Sequence, residues 1–390
     1  MTRRFFSSII LFFCFFVFSL NAYIVHNDSY EFSFDIPEGY VYDSNSNQKN
    51  SFSFNHPNIP VTFLIKIYDG KEYKSSEYTL KNSIKNIQNN PETDNFKWNE
   101  SNCSIAELNF KIEQDYSGWA VCSPLKKENS YIVMLCYCPS SEAEICNQFI
   151  ISTLNSLCTD TNYYCYPGII LAYAFPKEGN KKVSLTLYGK KLNFVLDKSD
   201  EEASQYLVDL EFSVLSLYLQ HNLWKEAWQR YYRIIFRDSW GRLKNCMEVM
   251  LNTFIPYAEK INPEKPDLAL AQMILTWVQS MPYKEKEPGV IDSDFTSLPK
   301  VICGEPNDCD SRALLVSLFL RTVGLESFIL ISPEYSHALA AVEIDAPGQK
   351  YIPEGTDREF LMGETTEGVT WGMIAADQAD RSKWFPAYLP

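Results

Sequence analysis

An apolar stretch in the C-terminal third restricts the folds open to this chain of 390 residues. Over residues 313–323 nearly every side of a helix would be apolar, and Gly324 follows as a helix C-cap. A helix of this kind has to be buried on all sides, so it runs through the centre of a domain. Asn307 or Asp308 is a good N-cap for it, which places Cys309 in its first turn.

The surroundings of Cys309 favour a reactive cysteine. Free amide groups and the helix dipole at a helix start stabilise a thiolate over a thiol. After the helix, residues 327–331 predict a buried strand, and the turn at 333–336 brings His337 to the start of a second strand, 338–344. A third strand, 350–354, ends on Glu354.

A cysteine at a helix start, a histidine on a facing strand and an acid on the next strand make a nucleophile, a base and an orienting group. We therefore expect catalysis by Cys309, His337 and Glu354, with Asp345 and Asp357 as alternatives for the acid. Two non-catalytic roles remain open for Cys309. It can be a buried structural residue, or it can form a disulfide with Cys303.

Several motifs in this region follow one another in the order of a known superfamily. They are Trp-Val-Gln-Ser-Met-Pro-Tyr at 277–283, Leu-Pro at 298–299, Asp-Cys-Asp at 308–310, Ser-His-Ala at 336–338 and Tyr-Ile-Pro-Glu-Gly-Thr at 351–356. In this order they resemble the transglutaminase-like superfamily, which has a papain-like core, and especially its microbial peptidase-like branch. The resemblance covers roughly residues 256 to 360.

The resemblance implies attack of Cys309 on the carbonyl carbon of an amide, giving a thioester that water or an amine resolves. His337 would be the general base and acid, and Glu354 would orient it. The side chain of Gln279 or Trp277, with the Cys309 backbone amide, would form the oxyanion hole. The substrate would be a protein or peptide, and neither a cofactor nor a metal is implied.

Three positions depart from the superfamily pattern and affect the fine geometry. Asn307 replaces the usual glycine before Asp-Cys, Ser311 replaces an acid, and Gly355 replaces a threonine. The competing hypothesis is a catalytically inactive scaffold whose front domains bind a protein or cell-envelope partner.

The N-terminal part of the chain alternates apolar and polar residues. This pattern predicts antiparallel strands at 32–36, 61–67, 106–112 and 131–138, with amphipathic helices near 80–87 and 146–157. That element order and the phrase Phe-Ser-Phe-Asp-Ile-Pro-Glu-Gly-Tyr at 32–40 resemble the small α/β sandwich of the PsbP-like group. His26 and His56 are isolated, so we expect them to be surface or packing residues.

The middle region is expected to be mixed. Residues 169–175, 183–187 and 192–196 predict strands, and Ser199 with Glu202 predicts a capping box that opens a helix. The aromatic cluster from Trp224 to Trp240 can be a carbohydrate or peptide platform, but at helical spacing we interpret it as core packing.

The first 22 residues have the pattern of a signal peptide: Arg3 and Arg4, an apolar run to Leu20, and a small-residue cleavage site at Ala22. An uncleaved anchor is the alternative, although the run is short for a bilayer span. We expect export, to the periplasm, the cell envelope or the medium, with no stable membrane span after cleavage. Some of the remaining cysteines should then form disulfides, in a connectivity that spacing does not decide.

The chain is acidic, with a formal net charge of −14. Nucleic acid and anionic lipid both require a positive surface, so neither is an expected partner. The sequence thus predicts a multidomain α+β protein: a signal peptide (1–22), a PsbP-like sandwich (23–160), a mixed strand and helix region (161–255) and a transglutaminase-like domain (256–390). The oligomeric state is left open.

Overall fold

The computed structural model describes residues 24–44, 50–159, 166–284 and 293–390. The predicted signal segment lies outside these ranges. The chain is α+β and multidomain, as the sequence predicts. Among the residues described, none of the helices combines the length and the apolar character that a bilayer crossing requires.

The N-terminal sheet unit, residues 24–158, is built on antiparallel strands. Its strands are β1 (Val25–Asn27), β2 (Phe32–Phe34), β3 (Val41–Tyr42), β4 (Ser51–Asn55), β5 (Thr62–Asp69), β6 (Asp94–Trp98), β7 (Ser101–Lys111), β8 (Asp115–Leu125), β9 (Ser130–Pro139) and β10 (Leu157–Cys158). Strands β3 to β9 form one sheet in the order β3-β4-β5-β9-β8-β7-β6, and β2 lies between β1 and β10 in a second, smaller sheet.

Two helices cover opposite faces of the large sheet, because its strands are apolar on both faces. Helix α1 (Ser76–Ile84) packs its Leu80 and Ile84 on one face, against Leu108 of β7 and neighbouring side chains. Helix α2 (Ala143–Asn155) packs Phe149 and Leu154 into the main core on the other face. The predicted order of strands and helices in this unit is confirmed.

The middle of the chain differs in one element from its prediction. Residues 169–175 were expected to form a strand, yet α3 (Ile169–Ala174) is a helix. The reason is a tertiary contact: the side-chain oxygen of Asn155 accepts hydrogen bonds from the backbone of Ile170 and Leu171, both at 3.1 Å, and so caps the helix start. The hairpin β11 (Asn180–Leu187) and β12 (Lys190–Asp197) forms where strands were predicted.

Two helices follow the hairpin. Helix α4 (Asp200–Ser216) begins after Ser199, but Ser199 makes no side-chain capping bond to it, so the predicted capping box is not formed. Instead the Ser199 hydroxyl donates to Asp197 at 2.9 Å. Helix α5 (Trp224–Ile261) is 38 residues long and carries the aromatic cluster, in which Tyr231 and Tyr232 are buried as the packing interpretation expected.

The C-terminal region packs helices on one face of a five-stranded sheet. Its elements are α6 (Pro266–Gln279), α7 (Leu298–Ile302), α8 (Cys309–Thr322), β13 (Ser327–Ser332), β14 (His337–Val342), β15 (Lys350–Tyr351), β16 (Phe360–Gly363) and β17 (Phe385–Ala387). The strand order is β15-β16-β14-β13-β17, with antiparallel pairing throughout. Helix α8 contacts α5, α6 and the sheet, so it is central, as its apolar sequence predicts.

Helix α5 joins the N-terminal sheet unit to the rest of the core through buried arginines. Arg233 donates to both carboxylate oxygens of Asp35, at 2.8 and 2.9 Å. Arg230 donates to Glu211 of α4 at 2.5 Å and to the Asp35 carbonyl at 2.8 Å, and Arg237 donates to carbonyls at the end of α2. A buried charge is tolerated only when it is paired and hydrogen-bonded, so these contacts fix how the unit lies on α5.

Candidate active site

Cys309 is the first residue of α8. Asp308 is the N-cap: it has extended backbone and its side chain accepts the Ser311 amide at 3.0 Å. Residues 311–320 of the helix are buried, while Cys309 is partly exposed. The predicted helix therefore begins where the sequence placed it, with the cysteine at its open end.

His337 is the first residue of β14 and is paired with Ser332 across the β13–β14 hairpin. Helix α8 packs on β14, and the backbone amide of the next residue, Ala338, is near enough to the Cys309 sulfur to lower its pKa, so the two segments meet at the start of β14. The Nε2 atom of the His337 ring lies 2.9 Å from Oε2 of Glu364. The structure thus brings together the helix start, the histidine and a carboxylate.

The carboxylate beside His337 is Glu364, whereas the sequence predicted Glu354. Strand β15 ends at Tyr351, and Glu354 lies beyond it in an exposed turn. In the sheet, β16 lies between β15 and β14, so an acid that follows β15 is one strand too far from His337. Glu364 directly follows β16, the true neighbour of β14. The alternatives Asp345 and Asp357 are also exposed.

Glu364 is held as a carboxylate. Burial alone would raise its pKa, but hydrogen bonds from His337 and Thr366 outweigh burial and leave its pKa below the ordinary value. The Thr366 amide and hydroxyl both donate to its Oε1 at 2.7 Å. A signal for Glu364 exists in the sequence: an apolar run, 360–363, followed at once by an acid, which is the pattern of a buried strand that ends at a site.

Neither predicted side-chain donor for an oxyanion is free to serve in this conformation. The Gln279 amide donates to the carbonyls of Glu364, at 2.8 Å, and of Val369, at 3.0 Å. Trp277 is only 5% exposed and packs against Phe319 in the core. Gln279 therefore fixes the backbone that carries Glu364, and the backbone amide of Cys309 is the remaining predicted donor.

The electrostatic surroundings of Cys309 differ from those that its position predicts. Burial raises the pKa of the Cys309 thiol well above its usual range, and the charges of Asp310 and Asp308 raise it further, while the Ala338 amide opposes them. The expectation of a thiolate from helix position alone is corrected here. The Asp308 side chain already accepts the Ser311 amide at the helix start, and the neighbouring Asp310 opposes a second negative charge nearby.

Asp310 is the neighbour in direct contact with the thiol. The Cys309 sulfur donates to Oδ1 of Asp310 at 3.5 Å, and the Tyr232 hydroxyl donates to Oδ2 at 2.7 Å. The pKa of Asp310 is raised, mainly by burial, although the bond from Tyr232 lowers it. For Asp308, burial and then the nearby Asp310 raise the pKa to about 8.

Arg312 ties the segments of the site together from within the core. Its side chain is 1% exposed and donates to Asn307 at 2.7 Å, to the Thr365 carbonyl at 3.0 Å and to the Met281 carbonyl at 2.5 Å. These three groups belong to the loop before Cys309, the segment after Glu364 and the segment after α6. Sequence reasoning missed this residue because nothing marks a charge inside an apolar helix as a link between loops.

Eight cysteines of the described ranges are free thiols: Cys103, Cys122, Cys136, Cys138, Cys146, Cys246, Cys303 and Cys309. Cys303 and Cys309 are therefore not joined by a disulfide, whereas the expectation of disulfides elsewhere stays a prediction. The Cys303 sulfur accepts a hydrogen bond from Lys181 of β11 at 3.6 Å. Within the same ranges no cluster of three or more His, Cys, Asp or Glu side chains is placed to hold a metal ion.

No protein-family model matches this chain, and no curated protein matches it. It is similar to the solved structure of PsbP from Synechocystis, with 8% identity over 37% of this chain and 96% of that one and a TM-score of 0.29. For the Ran-binding protein Mog1p of Saccharomyces cerevisiae the identity is 10%, the coverages are 37% and 99%, and the TM-score is 0.28.

A structure from Bacteroides thetaiotaomicron matches over more of the chain. It is 13% identical over 84% of this chain and 87% of that one, with a TM-score of 0.24. These TM-scores are too low to carry an argument about fold or function. The PsbP-like resemblance of the N-terminal part and the transglutaminase-like resemblance of the C-terminal third both stay predictions.

Proposed function

We propose that this protein is a thiol-dependent hydrolase or acyltransferase that acts on peptide or amide bonds, with Cys309 as its nucleophile. The observation that carries the proposal is the hydrogen bond between His337 Nε2 and Glu364, made where the strand bearing His337 meets the start of α8. A nucleophile, a base and an orienting acid in this order are the parts that acyl transfer needs.

In the proposed reaction His337 exchanges protons through Nδ1, because Nε2 is held by Glu364. As the Cys309 sulfur attacks the carbonyl carbon, its proton passes to His337, which then gives it to the departing amine. The product is a thioester on Cys309. Water or a second amine attacks this thioester, and His337 accepts the proton of the attacking group. The bond between the carbonyl carbon and the Cys309 sulfur then breaks, and His337 returns the proton to the sulfur. The raised pKa of Cys309 makes the first proton transfer, from Cys309 to His337, part of the attack.

A second candidate function has an observation of its own. Burial, and then the carboxylates beside Cys309, raise the pKa of its thiol and disfavour a thiolate, which is the reverse of what a preformed cysteine–histidine ion pair needs. This favours a catalytically inactive scaffold, in which the front part of the chain binds a protein or a cell-envelope component. The two functions differ in whether Cys309 can be acylated.

Reaction of the full-length protein with p-nitrophenyl acetate tests the proposal without knowledge of the natural substrate. We expect a burst of p-nitrophenolate, an acetyl group on Cys309 by mass spectrometry, and slow loss of that group. Cys309→Ala and His337→Ala should abolish the burst, while Cys303→Ala serves as a matched thiol control. No acetylation of Cys309, or equal acetylation of Cys303, would support the scaffold instead.

The type of bond that the protein cleaves needs a test with peptide substrates. Digestion of a synthetic peptide library, compared with Cys309→Ala, shows whether amide bonds are cut, and incorporation of a dansylated amine shows whether an amine acts as acceptor.

We also propose export to the periplasm, the envelope or the medium, on the basis of residues 1–22. N-terminal sequencing of the protein recovered from each cell fraction tests this; an unprocessed cytoplasmic product contradicts it.

A further inference from the structure

The side chain of Asp310 joins helix α5 to the thiol of Cys309. One carboxylate oxygen accepts the Tyr232 hydroxyl at 2.7 Å, and the other accepts the Cys309 thiol at 3.5 Å. Each oxygen thus has its own donor, and the carboxylate lies between the two. A rotation of Asp310 that frees the sulfur has to break the bond to Tyr232.

Tyr232 is itself fixed by the aromatic cluster of α5. Its ring is fully buried, stacks on Trp228 at 5.7 Å with an angle of 23°, and meets Tyr231 edge to face at 5.1 Å. Stacked and edge-to-face pairs of this kind restrict ring motion in a close-packed core. The hydroxyl therefore has a defined place, and so has the carboxylate that it binds.

Charged and titratable groups surround the pair formed by Cys309 and Asp310. Their own helix start contributes Asp308 and Arg312, the segment before α7 contributes Asp294, and β14 contributes His337 with Glu364 behind it. Tyr232 faces the pair from α5. Of the three aspartates, Asp310 is the one that accepts a hydrogen bond from the sulfur, so its influence is direct and local, whereas Asp294 is exposed and screened by solvent.

We propose that Asp310, held by Tyr232, is a positioning residue that keeps Cys309 as a hydrogen-bond donor, so that the resting site contains a thiol and not a thiolate. Cys309 is then not a nucleophile in the resting site, and its attack on a substrate requires transfer of the thiol proton to His337. This inference rests on the proposed function for its catalytic meaning. The state of the thiol, however, can be measured without any substrate.

Alkylation of the full-length protein by limiting iodoacetamide between about pH 6 and pH 10 tests the role of Asp310, with the modified cysteine located by mass spectrometry. In the wild type we expect Cys309 to react with a midpoint above that of a free thiol, which is about pH 8.5. Asp310→Asn removes the negative charge of the side chain and keeps its shape. Its midpoint should fall by about one pH unit or more, which is about tenfold faster reaction at a pH below the midpoint.

Tyr232→Phe provides a second, milder variant. Loss of the hydroxyl raises the pKa of Asp310, so the carboxylate is neutral up to a higher pH and opposes the thiolate less. The Cys309 midpoint should move in the same direction as in Asp310→Asn, by a smaller amount. Asp294→Asn is the matched control: it removes a nearby but exposed charge and should leave the midpoint almost unchanged.

The inference is overturned if neither Asp310→Asn nor Tyr232→Phe lowers the midpoint while both variants keep the wild-type thermal unfolding temperature. If Asp310→Asn fails to fold, Tyr232→Phe decides alone. Lowered midpoints without any acetylation of Cys309 by p-nitrophenyl acetate would contradict the proposed function but support the role inferred for Asp310. Acetylation of Cys309 with unchanged midpoints in both variants would support the proposed function and overturn the role inferred for Asp310.

Discussion

At the scale of single residues, two different carboxylates contact the two proposed catalytic residues. Glu364 accepts a hydrogen bond from His337 Nε2 and fixes the orientation of that ring. Asp310 accepts a hydrogen bond from Cys309 and disfavours loss of the thiol proton. One acid therefore orients the proposed base, and the other acts on the proposed nucleophile.

The role of Glu364 gives the first prediction. Glu364→Gln removes the charge that orients His337, so the burst rate with p-nitrophenyl acetate should fall at least about tenfold, as expected when the orienting acid of a triad is neutralised. Glu354→Gln, a change of the exposed acid that the sequence pointed to, should leave the rate unchanged. Equal loss in the two variants contradicts the assignment.

At the scale of elements, helix α8 has two functions at once. Its apolar residues bind α5, α6 and the sheet, and its buried Arg312 binds three loops that meet at the site. The guanidinium also lies 4.9 Å from the ring centre of Tyr283, which belongs to the same segment as Met281, so this segment is contacted twice. The loops of the site are thus tied to a core helix, and the backbone of Asn307 also pairs with that of Pro282 and Lys284.

Removal of Arg312 should therefore destabilise the whole C-terminal region. Arg312→Met leaves the Asn307 side chain and two backbone carbonyls without their donor, and we expect a loss of about 3 kcal/mol or more in the free energy of unfolding. Urea denaturation followed by tryptophan fluorescence measures it. Arg321→Met, on the same helix but at the surface with Glu326, is the control and should cost about 1 kcal/mol or less.

At the scale of the whole molecule, one hydrophobic core extends from the N-terminal sheet unit through α4 and α5 to the C-terminal sheet. Buried ionic groups lie where the N-terminal sheet unit meets α5, among them Asp35, Glu38 and Arg233. Burial raises the pKa of Glu38 to about 7, partly offset by Arg233. Stability of the assembled chain should therefore depend on pH through this contact.

The sign follows from proton binding. Between the ordinary pKa of a glutamate, 4.5, and the value near 7 in the fold, the folded chain holds a proton that the unfolded chain has lost, so the free energy of unfolding falls as pH rises. Glu38→Gln removes this dependence. Its stability relative to wild type should improve by about 1 to 3 kcal/mol between pH 5 and pH 8, measured by urea denaturation.

Glu113→Gln is the control for this pH experiment, because Glu113 is an exposed acid of the same unit. Its stability relative to wild type should be the same at both pH values. A pH-independent difference for Glu38→Gln would show that Glu38 is already ionised in the fold at low pH, contrary to the effect of its burial.

The amino-acid sequence by itself determined most elements and the two residues at the centre of the site. The apolar period of 313–323, a capping aspartate and a glycine stop define α8, and local alternation defines β13 and β14, which place Cys309 and His337. These are local properties of the chain. They need no knowledge of what packs beside them.

Only the tertiary structure decided which acid lies beside His337, what surrounds the thiol, and that residues 169–174 are helical. The acid depends on strand order, since β16 inserts between β15 and β14 and brings Glu364 in place of Glu354. The thiol environment depends on Tyr232 and Asp310, 78 positions apart, and helix α3 depends on a cap from Asn155. Contacts between segments that are distant in sequence produce no periodic pattern of apolar residues, so sequence patterns could not predict these contacts.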